Sequence, residues 1–266
     1  MRRKMNNNYN VMNEYSLTCF SNNKKRKIEK YVNTEHSILL TINNKIELNL
    51  LCSPNEVKEF IIGYLYNEEF INQYNEIQEI YIDNDYSDIR VILNDRKKDL
   101  PSKRTRTSGF GNGITFLDNN KLRIFDDSTE IEGKSIFEIA RKREEIQSIY
   151  NLSGGIHSSA LCSKNEILVF SEDIGRHNTL DKIAGISLLE GINTSGKILF
   201  TSGRISSDMV KKCNRLNIPI LISLSAVTEK SIKIAKKTNM TLIGYCKNEK
   251  FYIYTNDYRI IENSSH

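Results

Sequence analysis

The chain has no tryptophan, and its 266 residues include only three prolines, four histidines and five cysteines. Cys19, Cys52, Cys162, Cys213 and Cys246 lie far apart, and no two are spaced as C-x-x-C. That excludes a zinc ribbon and a dithiol redox motif, and an odd number of scattered thiols fits reduced cysteines in the cytosol. Long apolar runs are also missing. Stretches such as Ile218-Pro219-Ile220-Leu221-Ile222 fall far short of the roughly 20 residues that span a bilayer, so no membrane segment is expected. The start, Met1-Arg2-Arg3-Lys4-Met5, is basic, but asparagines follow where a signal peptide would carry its apolar stretch. A cytoplasmic protein is the expectation. The net charge of +5 is mild, enough to favour an anionic ligand or partner. Its basic runs lack the interleaved aromatics that stack on bases, so no nucleic acid is expected. With 39% hydrophobic and 27% charged residues, wholesale disorder is excluded as well.

Residues 1–30 are rich in Asn, Lys and Arg, show no sustained period and read as a flexible basic arm ending in Lys24-Lys25-Arg26-Lys27. Residues 31–106 read as a small β-rich subdomain with one helix. Within it, Ile38, Leu40 and Ile42 alternate towards Asn43-Asn44, and Ile46, Leu48 and Leu50 alternate away from it, the pattern of a hairpin. Ser53-Pro54-Asn55-Glu56 has the form of a capping box, which predicts a helix from Pro54 to about Asn67. Strands are predicted over 77–82 and 89–93, followed by a basic linker or loop at 94–106. Beyond it, helices are predicted over 135–150, 179–189, 206–216 and 228–237. They alternate with strands at 167–170, 197–201 and 218–223, the order of an α/β layer over residues 107–266.

The chemistry-bearing residues collect in turns. Thr107-Ser108-Gly109-Phe110-Gly111-Asn112-Gly113 places a glycine at every second position, which lets backbone N–H groups approach a ligand. Ser153-Gly154-Gly155-Ile156-His157 is a second constellation. Glu172-Asp173-Ile174-Gly175-Arg176-His177-Asn178 lies between a predicted strand and helix, where open α/β sheets bind ligands. Asp173, Arg176 and His177 could serve hydrogen bonding or proton transfer, or Glu172, Arg176 and Asp181 could form only a structural ion-pair network. Thr201-Ser202-Gly203-Arg204-Ile205-Ser206 repeats the strand–turn–helix pattern, with the planar fork of Arg204 suited to a phosphate. Ser223-Leu224-Ser225-Ala226-Val227-Thr228 repeats it again. Three such turns at strand ends point to one rim.

The order of these blocks, with Thr241-Leu242-Ile243-Gly244 and Phe251-Tyr252-Ile253-Tyr254 after them, resembles the FdhD family of formate dehydrogenase accessory proteins from about Glu35 onward. The Glu-Asp-Ile-Gly-Arg-His-Asn block is highly specific to it. The resemblance implies a cytidine-deaminase-like three-layer α/β/α domain beside the smaller β-rich part, as a homodimer. It implies sulfur transfer from a cysteine desulfurase to the molybdenum or tungsten bis-molybdopterin guanine dinucleotide cofactor, serving formate dehydrogenase. Phe251, Tyr252, Ile253, Tyr254, Thr255 and Asn256 would bind that cofactor, with Arg176, His177 and Arg204 lining the pocket. No zinc is expected, because the deaminases' ligand motifs are absent. Family members carry the sulfur as a persulfide on a cysteine in the glycine-rich loop, written C-G-x-C or G-C-G. Here that place reads Gly109-Phe110-Gly111. Phenylalanine carries no sulfur, so a non-catalytic cofactor carrier or chaperone is the alternative.

Overall fold

The structure, a computed structural model, describes residues 10–95 and 122–262 together with two short strands between them. The chain opens with β1 (Met12–Ser21) and β2 (Lys24–Asn33), an antiparallel hairpin turned at Asn22-Asn23, both with positive φ. The loose arm expected over the first 30 residues is thus corrected from Met12 onward. Cross-strand pairs such as Leu17–Ile28 and Tyr15–Lys30 supply the order. They were hidden because most of the ribbon is open to solvent and its charges break the alternation.

Then come β3 (His36–Ile42) and β4 (Ile46–Cys52), joined at Asn43-Asn44 as read from the sequence. They precede α1 (Val57–Asn67), β5 (Ile77–Ile82) and β6 (Asp88–Leu93). The small sheet runs β4-β3-β6-β5, and its inward Ile38, Leu40, Ile42, Ile89 and Val91 pack on Phe60, Ile61 and Leu65 of α1. The capping box does not form, and α1 starts later than expected. Ser53 Oγ accepts from the Ile174 amide at 3.1 Å, while the Glu56 carboxylate accepts from Ser171 Oγ at 2.6 Å. Both side chains are taken by Ser171 and Ile174, distant in sequence, instead of capping.

β7 (Thr105–Arg106) and β8 (Ile114–Thr115) pair antiparallel across the glycine-rich loop. That loop, including Phe110, lies outside the described residues, as do residues 96–104 of the expected linker. β9 (Ile131–Glu132) leads into α2 (Gly133–Ile146) and α3 (Ser148–Ser153). One helix was expected here. The chain breaks at Gln147 because the Glu172 carboxylate accepts from the Ser148, Ile149 and Tyr150 amides, which starts a second helix.

The rest is β10 (His157–Cys162), β11 (Ile167–Asp173), α4 (Arg176–Glu190), β12 (Ile198–Thr201), α5 (Ser207–Arg215), β13 (Ile220–Ser223), α6 (Glu229–Thr238), β14 (Thr241–Lys247), β15 (Lys250–Thr255) and β16 (Ile260–Ile261). The large sheet is ordered β11-β10-β12-β13-β14-β15. Alternation along the buried strands splits the core. Leu161, Leu199 and Leu221 face α4, α5 and α6, while Ile198, Phe200, Ile220 and Ile222 face α2. This is the expected α/β fold, with helices on both faces of the sheet. None of the described helices is long and apolar enough to cross a membrane.

The small and large sheets' layers are joined through α1 and α4. Gly63 and Gly185 meet where each lacks a side chain: a Cβ on Gly63 would overlap the Asp181 carbonyl, and one on Gly185 would overlap that of Glu59. Beside this contact, buried Lys212 is shared by Asp181 at 2.8 Å and Glu68 at 3.2 Å, and Asn67 donates to Asp181.

Candidate functional site

β11, β12, β13 and β14 run parallel, with β10 and β15 antiparallel to them. The C-terminal ends of the four and the N-terminal ends of the two therefore share one rim. The three turns picked from the sequence meet there and are stitched together. Ile205 N donates to Ala226 O, Thr228 N donates to Ile205 O, and Ser223 Oγ donates to Gly203 O. Gly203 lies under the aliphatic stem of Arg176, whose Cβ is 2.7 Å from where a glycine-to-alanine Cβ would sit. At the neighbouring β10 end, Ser202 Oγ accepts from the Ser158 amide at 3.0 Å and lies 3.3 Å from His157 Nδ1.

Much of the charged block around the end of β11 is structural, through partners outside the set of Glu172, Arg176 and Asp181. Asp173 and Lys182 form a fully buried pair at 2.7 Å. Asp173 also accepts from the amides of Ser53 and Gly175 and from Asn178 Nδ2. Glu172 starts α3 and Asp181 holds Lys212. What remains at the rim is half-buried Arg176 and His177 and exposed Arg204. Burial, then the nearby Arg204 charge, pulls Arg176 below the usual arginine range. Burial pushes His177 down to about 3, and Lys212, Arg176 and His157 add to the shift. His157 is lowered as well, by burial first and then by Arg176. The rim thus holds two guanidiniums beside two imidazoles that stay neutral near pH 7, at the positive N-terminal ends of α4 and α5. Asp208, in the first turn of α5, offsets part of this charge, and positive groups remain in excess. An anion is its natural occupant.

The six residues 251–256 do not form one wall. Phe251 and Ile253 face α2, with the Phe251 ring 5.3 Å from Phe137. Tyr252 and Tyr254 point to the other side of the strand and line a separate groove with Tyr245. Thr255 and Asn256 sit at the far end of the sheet and satisfy backbone there: Thr255 Oγ1 and Asn256 Nδ2 both donate to Met240 O at 2.7 Å.

A profile of the FdhD/NarQ family matches residues 33–261. This chain belongs to the FdhD/NarQ family. It is 31% identical to the sulfur carrier protein FdhD of Bacillus licheniformis over 258 residues, covering 94% of this chain and 98% of that one. The Bacillus pumilus protein of the same name is 34% identical over 235 residues, 86% and 89% of the two chains. Among solved structures, one named as a formate dehydrogenase accessory protein from Desulfotalea psychrophila superposes with a TM-score of 0.78. It covers 95% of this chain and all of that one at 22% identity, which supports a shared fold.

Sulfur chemistry in this family member would need an accessible thiolate. Cys52, Cys162, Cys213 and Cys246 are buried, and burial drives all four thiols up, the first two and Cys246 to about 12. Cys19, on β1, is the partly exposed cysteine among the described residues. Sequence reasoning left out of the site Tyr245 and the Ser202–His157 contact. The Ser-Gly-Gly-Ile-His block signalled the second, but only strand pairing shows that β10 lies between β11 and β12.

The neutral imidazole makes a pH prediction. His177 has an ordinary value of 6.5 when unfolded and is held to about 3 when folded. Between those values the unfolded chain binds a proton that the folded chain refuses, so stability falls as pH falls through that window. The slope is up to about 1.4 kcal/mol per pH unit. His177→Asn should flatten this part of the curve in urea titrations at pH 4 to 7. An unchanged slope would show that His177 is not held neutral by the fold.

Proposed function

We propose that this chain is a cytoplasmic accessory protein of formate dehydrogenase whose rim binds the guanine-nucleotide end of the bis-molybdopterin guanine dinucleotide cofactor, its substrate. The cluster of Arg176 and Arg204 with neutral His157 and His177 carries this reading. Arginine forks match phosphate oxygens in pairs, and neutral imidazoles can donate without adding charge that would have to be released with the ligand. Family membership and the accessory-protein fold support the same reading. By resemblance to the family, a cysteine desulfurase would act upstream as sulfur donor and formate dehydrogenase would be served downstream. With Phe110 in the loop and four cysteines buried, binding and delivery of the cofactor fit this chain better than sulfur relay through the loop.

Calorimetry with GDP tests it. The folded wild-type chain should bind GDP at micromolar concentrations, and Arg204→Ala should weaken binding by about 1.5 to 3 kcal/mol, the worth of a hydrogen bond to a charged group. No heat of binding up to high micromolar protein would overturn the cofactor reading. Equal affinity of the variant would remove Arg204 from the site.

A further inference from the structure

The β1–β2 hairpin takes no part in the site described above. Each of its strands is ten residues long, so the ribbon extends about 33 Å. Among the described residues no third strand pairs with it, and a lone two-stranded ribbon is only marginally stable in water. Its root is nevertheless fixed. The Asn33 side chain donates to Gly154 O and accepts from Ser153 Oγ, both at 2.6 Å, and Val11 and Met12 pack on Ile149 and Ile156. His157 of the rim follows directly after Ile156, so the ribbon springs from beside the anion site.

The two outer edges of the ribbon differ. Six of the ten residues of β2 are charged, whereas β1 carries one charge, Glu14, and neither lysine nor proline. Lysine and proline are the residues that keep sheet edges from pairing with other chains, so β2 is protected and β1 is open. The two-residue turn at Asn22-Asn23 and the bond from Thr34 N to Val11 O place the ladder bonds at odd-numbered residues of β1. The backbone N–H and C=O groups of Ser16, Thr18 and Phe20 therefore point outward. The faces differ as well. Lys24, Arg26 and Lys30 share a face with Tyr15 and Leu17 and with no carboxylate, whereas Glu14 and Glu29 lie on the other face. Tyr15 is 53% exposed and Phe20 66%, which leaves apolar surface bare along β1.

We propose that β1 takes an added strand from another protein, an extended acidic segment laid along its outer edge with carboxylates on the face of Lys24, Arg26 and Lys30. Strand addition satisfies the outward N–H and C=O groups, and a third strand gives the ribbon the stability that two strands lack. The added strand lies two strand spacings from β2, about 10 Å, a gap that a glutamate and an arginine side chain close together. A second copy of this chain matches the charge less well. Antiparallel pairing of two β1 strands puts the same face of both ribbons on one side, which doubles the cations there and adds no carboxylate. A lipid surface or a nucleic acid matches the charge but has no strand to offer the open edge. Docked on β1, the partner stands beside the rim, whatever anion the rim holds.

The test titrates the full chain into a labelled, capped peptide of about ten residues that alternates Glu with Val, a strand-forming pattern as long as β1, and follows fluorescence anisotropy. The same peptide with Lys in place of Glu is the control. Wild type should bind the acidic peptide and not the basic one, and added salt should weaken the complex. Thr18→Pro removes one outward N–H and should weaken binding about tenfold or more. Amide exchange at Leu17 and Cys19, which bond inward to β2, should stay as slow as in wild type and show the hairpin intact. If that hairpin frays, the double variant Arg26→Glu, Lys30→Glu decides, because it leaves the backbone alone and should also weaken the peptide about tenfold. No binding of the acidic peptide, equal binding of both peptides, or binding that neither variant weakens would overturn the proposal. A wild-type dimer in sedimentation that Thr18→Pro converts to monomer would overturn it too and give the edge to a second copy. Flotation with phosphatidylglycerol vesicles without any peptide binding would overturn it in favour of a lipid surface.

Discussion

Gly185→Ala should destabilise the folded chain by about 3 kcal/mol or more, the upper end of overpacking costs. The added methyl would have to share space with the Glu59 carbonyl of α1, and backbone cannot step aside as a side chain can. Alanine in place of a helical glycine gains only about 0.5 to 1 kcal/mol from reduced chain entropy, so the clash decides the sign. Gly63→Ala should cost a similar amount, because its methyl would meet the Asp181 carbonyl of α4. The two share one contact, so the double variant should lose less than the sum. In a thermal melt the single variants should fall by roughly 6 to 12 °C. Gly133→Ala is the control: its Cβ would meet only Phe251 Cζ at an ordinary 3.8 Å. A Gly185→Ala melt within 2 °C of wild type, about a third of the smallest expected shift, would mean that α1 and α4 are not packed backbone to backbone.

That contact also marks the limit of what local pattern reveals. The alternation of Ile38, Leu40 and Ile42 and the Asn43-Asn44 turn are local features, and the first small-domain hairpin was legible from them. The same Asn-Asn turn occurs at Asn22-Asn23, but there most of the flanking ribbon is exposed and its period is blurred by Lys24 to Lys27. Ser53 and Glu56 have the form of a cap, yet both are taken by β11 and the turn after it. A long-range partner outcompeted a local one. The same competition runs through the site. Arg176 and Arg204 were found because strand–turn–helix spacing places them at a rim. The roles of Glu172, Asp173 and Asp181 depend on amides and ammonium groups distant in sequence. Tyr245 was missed because a regular strand would have turned it away from Tyr252; only the register shift brings them together.

Phe110→Cys should turn a chain that takes up no sulfur in its glycine-rich loop into one that does. In the proposed scheme a desulfurase presents a persulfide, R–S–SH. A thiolate at position 110 would attack its outer sulfur, forming a new persulfide as the desulfurase cysteine leaves as thiolate; no outside oxidant or reductant is needed. Phenylalanine has no atom that can take part. The buried thiols of Cys52, Cys162, Cys213 and Cys246 fail for another reason: burial holds them protonated near pH 7, and a thiol is a far weaker nucleophile than its thiolate. Intact-protein mass spectrometry after incubation with desulfurase and cysteine should therefore show one added sulfur on Phe110→Cys. Wild type should show none, and alkylation of the variant beforehand should abolish the gain. If wild type gains sulfur, peptide mapping locates the carrier. A label on Cys19 that is lost in Cys19→Ser and passes to the cofactor would show that the relay has moved to the β1–β2 hairpin, and the assignment of this chain to binding without transfer would be wrong.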